Sequence, residues 1–317
     1  MHVTMPEVSA VIPTRNRPEW VYRAIQSVLS QTHQNIEAIV VIDGPDPETE
    51  SALKALRDPR VQVIALTENV GGSEARNIGI RAARGEWIGL LDDDDLWLPR
   101  KIEQQLNRAK QSNARYPVIS SRVLGRTDKG DYPLPKLVYD GGQPVGDYLF
   151  CRNGFSNSNG LLQTSTLLAP RVFMLLQPFR RGLKKHQDWD WILRAAQHPD
   201  CTIVMLPEVL SVFDMAGVRK SVSRALAWKF SADWAREMRP FLSTRAYSHF
   251  IAIYCVCSAA SEKAGPGVYL QLFRMLIKEG RFSLGAFGRF ALYSLFPASF
   301  REWVRQGFTV KSRFLSR

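Results

Sequence analysis

Long uncharged runs are missing from this chain. Its most apolar stretch, Tyr247 to Ala260, falls short of the about 20 residues that a helix needs to cross a bilayer, so no membrane span is expected. Cysteine is scarce: Cys151, Cys201, Cys255 and Cys257 show no metal-ligand spacing, which removes zinc modules, and the last two sit in an apolar run where thiols act as small buried hydrophobes. Neither GxxxxGK[ST] nor GxGxxG is present at the first turn, so a glycine-cradled phosphate loop is excluded. MHVTMPEVSAVIPT has no basic region followed by an apolar one, so no secretory signal and a cytosolic, reducing setting are expected. Acids are outnumbered, 30 against 42 Lys and Arg, and the net charge of +12 asks for an acidic partner. The basic residues of the C-terminal part mix with aromatics, as in LFRMLIKEGRF and FREWVRQGF, which reads as a face for an anionic membrane surface rather than for nucleic acid.

What is present is a folded chain of 317 residues, 45% hydrophobic and 23% charged. Val8 to Pro13, Ile36 to Ile42, Val61 to Leu66 and Trp87 to Leu91 are short apolar runs of the kind that forms buried parallel strands. Helical spacing fills the gaps: Glu19 to Ser30, Glu48 to Leu56, and a segment from Ser73 through Ala83. This alternation predicts a doubly wound, mostly parallel sheet, with ligands at the carboxyl ends of the strands. Polar groups stand at those ends: Thr14, Arg15 and Asn16; Asp43; Glu68 and Asn69; then Asp92, Asp93, Asp94 and Asp95. Four carboxylates behind an apolar strand repel one another unless a hard cation neutralises them, and such a cation bridges to phosphate oxygens. A solvated turn with a helix cap before Pro99 is the plainer alternative. Asp43 is equally a turn former in Asp-Gly-Pro. Phosphates held here would need the metal and arginines such as Arg15, Arg17 or Arg76.

VSAVIPTRNRP, LSQTHQNIEAIVVIDGP and ENVGGSEARNIGIRAARGEWIGLLDDDDLWLP, in that order, resemble the inverting family 2 glycosyltransferases, built on the A-type nucleotide-sugar fold. The likeness implies a sheet of the nucleotide-diphospho-sugar transferase type, Mn²⁺ or Mg²⁺ as cofactor, and a UDP- or dTDP-sugar as donor. It implies that Pro13, Arg15 and Asp43 line the base and ribose pocket. Asp92 and Asp94 match the outer positions of the family's Asp-x-Asp motif, Asp92 toward ribose and metal, Asp94 on the metal, with Asp93 between them on the nucleotide side. Asn69 and Asn77 match structural and donor-side positions. In KHQDWDWILRAA, Asp188 matches the family's catalytic base, while Gln187 stands where the family has Glu; a capping Asp at a helix start is the alternative.

The likeness implies direct displacement, with Asp188 taking the acceptor proton and no covalent intermediate. The QxxRW motif and spanning helices of the family's synthases are absent, so addition of one sugar to a lipid-linked or cell-surface glycan is expected. The expected organisation is a catalytic domain at 1–224, with a nucleotide-binding half at 1–106 and an acceptor half at 107–224, then a basic, aromatic helical appendage at 225–317. Within the acceptor half, Val118 to Leu124, Asn159 to Leu168 and Val204 to Phe213 read as strands, and Asp128 to Val145 as a loop. Arg180, Arg181, Lys184 and Lys185 face an anionic acceptor or form a solvated loop; Arg219 and Lys220 are candidates for phosphate neutralisation. The location expected is cytoplasmic, peripheral on the inner face of the membrane. A binding protein that keeps the fold without catalysis, and a nucleotidyltransferase, are the competing classes; the second would want a Gly-rich basic loop where TRNRPEW stands.

Overall fold

A computed structural model describes residues 5–128, 130–152, 160–215, 228–281 and 283–296. The chain divides into two units, one made of 1–141 with 161–220, the other of 142–160 with 221–317.

The first unit is built on a mixed sheet. Strands β1 (Val8–Thr14), β2 (Ile36–Ile42), β3 (Val61–Ala65) and β4 (Trp87–Leu90) pair in parallel in the order β3-β2-β1-β4, the half the alternating pattern predicts. They are joined by α1 (Pro18–Leu29), α2 (Pro47–Lys54) and α3 (Gly72–Ala82). β1, β2 and β4 are buried on both faces, which is why they read as continuous apolar runs, whereas β3 stands at the sheet edge with Gln62 and Ala65 exposed. Val8, Ala10 and Ile12 of β1 pack with Val21, Ala24, Ile25 and Val28 of α1. On the opposite face α3 lies so close that a Cβ on Gly79 would stand 2.5 Å from Val11 Cγ1, so only glycine allows that approach.

Beyond β4 the sheet departs from the parallel pattern. A two-residue strand β5 (Leu96–Trp97) precedes α4 (Lys101–Lys110), and β6 (Tyr116–Thr127) forms a hairpin with β7 (Gly130–Leu134) inside the stretch expected to be loop. β8 (Leu168–Pro170) runs antiparallel to β4 and β6, and β9 (Cys201–Asp214) pairs with β6 in parallel and with β5 in antiparallel. The expected strand from Asn159 to Leu168 is not one: its described part closes a 3₁₀ turn at Thr164–Thr166 before β8. The short polar side chains explain it, since Thr166 Oγ1 donates to the Gln163 carbonyl at 2.6 Å and so favours a turn over a ladder. Asn159 itself lies outside the described residues.

The second unit is helical: α5 (Val145–Phe150), α8 (Trp228–Glu237), α9 (Thr244–Phe250), α10 (Val256–Ser261), α11 (Pro266–Lys278) and α12 (Leu284–Leu295), with α6 (Arg171–Leu176) and α7 (Gln187–Ala195) belonging to the first unit. The uncharged run from Tyr247 is one continuous buried helix, α9 passing through a π turn at Ile251–Cys255 into α10. Phe150 packs on Trp234, Phe250 and Tyr254 with ring centroids 5.1 to 6.5 Å apart. Those contacts tie α5, which lies within the stretch expected as acceptor half, to the helices of this unit. Among the described residues no helix is long and apolar enough to cross a membrane.

Candidate functional site

Strand register sets up the site. β1 pairs with β4 as far as Val11 and Leu90, then runs three residues further, so Thr14 overhangs the turn that follows β4. Along that turn burial alternates: the Asp92 and Asp94 side chains keep 28% and 23% of their surface, while Asp93 and Asp95 are buried. Thr14 Oγ1 donates to Asp93 Oδ2 at 2.8 Å, and Arg17 Nη1 reaches Asp93 Oδ1 at 2.9 Å and Asp94 Oδ2 at 3.2 Å. Burial, opposed by Arg17 and reinforced by Asp94, pushes Asp93 up to about 6. Asp95 accepts hydrogen bonds from Ser165 Oγ at 2.6 Å and from Gln163 Nε2; burial, with Asp92 and Asp94 adding, holds it well above the usual carboxylate range. The crowd of acids is thus relieved by Arg17 and by the hydrogen bonds that Thr14, Ser165 and Gln163 give to Asp93 and Asp95. Ser165 also accepts from the Asp92 backbone N–H at 3.0 Å, pinning the turn from a chain segment that arrives antiparallel to β4.

The Asp43 carboxylate at the end of β2 accepts from Asn69 Nδ2 at 2.9 Å and from the backbone N–H groups of Val70 at 2.7 Å and Gly71 at 3.1 Å. Gly71, at φ 84°, opens α3, so Asp43 fixes the start of that helix. Asp46 does the same for α2: it caps Thr49 N–H at 3.1 Å and accepts from the Asn16 N–H at 2.5 Å, which holds the loop after β1.

One turn into α3, Arg76 ties the acidic turn to the start of α7. Its Nη2 lies 2.5 Å from Asp92 Oδ1 and its Nη1 2.6 Å from Gln187 Oε1, with the guanidinium 5.8 Å from the Phe179 ring. Buried Arg76 Nε meets no acceptor among the described residues. Asp188 follows Gln187 in the first turn of α7 and does not cap it, since the cap position is His186, with φ 65°. Burial pushes Asp188 up to about 6; the Trp189 N–H at 2.9 Å pulls the other way, Asp92 adds to the rise and Arg76 opposes it.

Asp190, one residue after Trp189, has a different task. It is buried and bridges Arg180 Nη2 and Arg194 Nε, each at 2.8 Å, so replacing it removes the carboxylate that holds two guanidinium groups together. Asp190→Ala is expected to cost about 3 kcal/mol of stability, read as a lower denaturant midpoint at pH 7; an unchanged midpoint refutes the structural role.

Of the residues singled out beforehand, the fold gathers Asp92, Asp93, Asp94 and Asp188 through Arg76 and Arg17, and pairs Asp43 with Asn69. Pro13 is half-buried in β1 and Arg15 is exposed beyond it. Asn77 is buried; its Nδ2 donates to the Phe179 carbonyl at 2.8 Å and to Glu74 Oε2 at 3.0 Å, and its Oδ1 accepts from the Phe179 N–H at 2.9 Å. Arg181 pairs with Glu74 rather than standing open for an acceptor. Arg219 and Lys220 lie outside the described residues. Sequence reasoning missed Ser165 and Gln163, whose partners lie about 70 residues away and leave no local spacing signal, and also Asp46, which the local Asp-Pro-x-Thr cap pattern could have found. Among the described residues no three His, Cys, Asp or Glu side chains converge into a metal cage. Two accessible carboxylates on one turn nevertheless fit Mg²⁺ or Mn²⁺, since such an ion takes one or two carboxylates and fills its shell with phosphate oxygens and water.

The family model for glycosyl transferase family 2 matches residues 9–168, half of the chain. The succinoglycan biosynthesis protein ExoO of Rhizobium meliloti is 40% identical over 120 residues, 38% of this chain and 34% of that protein, so the chain spans about a third of that relative's length. Among solved structures, S. aureus TarS in complex with UDP-GlcNAc aligns with a TM-score of 0.54 and 17% identity over 91% of this chain and 81% of that one. The mannosyltransferase PcManGT of Pyrobaculum calidifontis, in complex with GDP-Man and Mn²⁺, aligns with a TM-score of 0.54 and 16% identity over 97% and 81%. These two share the fold of this chain. With strands, turn and family motif in agreement, the chain belongs to glycosyl transferase family 2.

Proposed function

We propose that this protein is a metal-dependent, inverting glycosyltransferase that moves one sugar from a UDP- or dTDP-sugar to a lipid-linked or cell-surface polysaccharide acceptor. The observation that carries the reading is the Arg76 bridge, which joins the acidic turn to the residue preceding Asp188 and so sets an acid-rich donor side against a candidate base. Asp92 and Asp94 would hold the cation, Asp43 and Asn69 the nucleoside end, and Arg17 and Arg76 the diphosphate. A divalent cation, when bound, supplies Lewis-acid stabilisation of the departing diphosphate. Asp188 accepts the proton of the acceptor hydroxyl as its oxygen attacks the anomeric carbon, and the bond to the diphosphate oxygen breaks with inversion. Asn77, fully engaged by Phe179 and Glu74, acts by positioning α3. The relative named for succinoglycan biosynthesis supports a polysaccharide setting, and the neighbour crystallised with Mn²⁺ supports the metal.

The test is a thermal-shift panel of UDP, dTDP, GDP and CDP with and without Mn²⁺. Because a ligand that binds only the native state stabilises it by about 2.7 kcal/mol at a hundredfold excess over Kd, UDP or dTDP is expected to raise the midpoint by several degrees. A response to GDP alone would move the donor to guanosine sugars, and none with any nucleotide would remove the reading.

A further inference from the structure

In the helical unit, the sides of α11 and α12 that face solvent have a composition unlike an ordinary solvated surface. Along α11 the exposed positions after Pro266 are Gly267, Leu270, Gln271, Arg274, Ile277 and Lys278, one stripe at helical spacing in which every charge is positive. Along α12 the exposed positions are Leu284, Gly285, Phe287, Gly288 and Leu295, with no charge; Leu284 keeps 84% and Leu295 74% of its surface. The two helices are neighbours, since Phe273 of α11 lies 6.1 Å from Phe287 and 5.5 Å from Phe290 of α12. Exposed leucines scattered singly are normal, but here Leu270 and Ile277 share one helical stripe with Arg274 and Lys278, and the apolar α12 packs beside that helix.

Beside that face is a cleft of about 390 Å³ lined by Arg236, Gln271, Arg274, Met275, Lys278 and Glu279. Its one acid is already matched, as Glu279 accepts from the Tyr247 hydroxyl at 2.5 Å and pairs with Arg236 Nε at 3.4 Å. Arg274 and Lys278 therefore leave the cleft positive. Exposed Arg281 follows α11 and adds to the same sign.

We infer that the α11–α12 face docks on an anionic lipid bilayer, with Leu270, Ile277, Leu284 and Leu295 entering the interface and the Arg236–Arg274–Lys278 cleft receiving a lipid phosphate. Charge complementarity selects this occupant. An apolar strip edged by cations suits the boundary between acyl chains and anionic headgroups, where apolar burial and electrostatic attraction add. A second copy of this chain would bring the same cations against each other. The inference concerns the helical unit alone and does not depend on the transfer reading, because vesicle binding needs no donor.

The experiment is co-sedimentation of the full chain with vesicles of phosphatidylcholine alone or with 30% (about one lipid in three) phosphatidylglycerol, in 0.1 M salt, where the Debye length is about 10 Å. Wild type is expected to bind the anionic vesicles and to lose binding as salt rises. Arg274→Gln with Lys278→Gln should weaken it by roughly 25-fold, at about fivefold for each cation removed near the surface. Leu284→Ser with Leu295→Ser, both at highly exposed positions, should weaken it at least tenfold, while Leu137→Ser, an exposed leucine of the first unit, should not. Circular dichroism of each variant shows that the fold is kept. Equal binding to neutral vesicles, or wild-type binding by both double variants, overturns the inference. So does a dimer in sedimentation velocity that the leucine variant converts to monomer without any change in vesicle binding.

Discussion

Replacing Asp188 by asparagine is expected to lower the transfer rate by roughly 10²- to 10⁴-fold, the range contributed by a positioned general base, while nucleotide binding persists. The amide keeps the shape and the bond to the Trp189 N–H, so only the proton acceptor is lost. The same carboxylate sets a pH dependence. Its folded-state value of about 6 is above the ordinary 3.8, chiefly because burial penalises the charged form. Transfer should therefore rise with pH along an acid limb near 6 as Asp188 ionises.

The effect on stability has the opposite sign. A raised value means that the folded state is penalised relative to the unfolded chain as pH climbs from 3.8 through about 6, and the penalty persists above that. Asp188→Asn should then be more stable than wild type at pH 8, by on the order of 1–3 kcal/mol, and no more stable at pH 3.5. A variant that is inactive and also less stable at pH 8 would mean that Asp188 is structural.

The second large effect is expected for Asp94→Ala, which should abolish the Mn²⁺-dependent part of the nucleotide-induced thermal shift. Asp94 is one of two carboxylates in the turn with accessible oxygens, whereas Asp93 and Asp95 are turned inward onto Thr14, Ser165 and Gln163. Without nucleotide, the variant should match or exceed wild type in stability. Asp94 repels Asp93 and is one cause of the latter's rise to about 6, and Arg17 keeps its bond to Asp93. Wild-type response to Mn²⁺ in the variant would place the ion elsewhere and leave Asp94 as an ordinary turn acid. Isothermal titration with Mn²⁺ and nucleotide reads the same quantity without activity.

These expectations rest on residues of unequal legibility. Strands β1, β2 and β4 are continuous apolar runs because both their faces are buried, and such runs announce themselves locally, as do the polar residues that end them. Asp43, Asn69, the four aspartates and Asp188 were visible for that reason and from their order along the chain. Chemistry visible in a motif does not show which copy of a repeated residue faces outward. In the acidic turn, burial alternates residue by residue because Thr14 and Arg17 claim one side and Ser165 the other, and those partners lie about 70 residues or more away. Gln187 looked like the loss of a family acid; folded, it is the group that orients Arg76, a contact 111 residues long.

By itself the sequence determined the parallel half of the sheet, the rim on which the polar groups stand and the family, since all three depend on local apolar period and residue order. Tertiary structure alone decided which carboxylates stay accessible, that Asp190 is held by two arginines while Asp188 is not, and that α5 packs with the C-terminal helices. Each of those outcomes depends on a contact between segments distant in the chain, and no local pattern encodes a partner that only folding brings near.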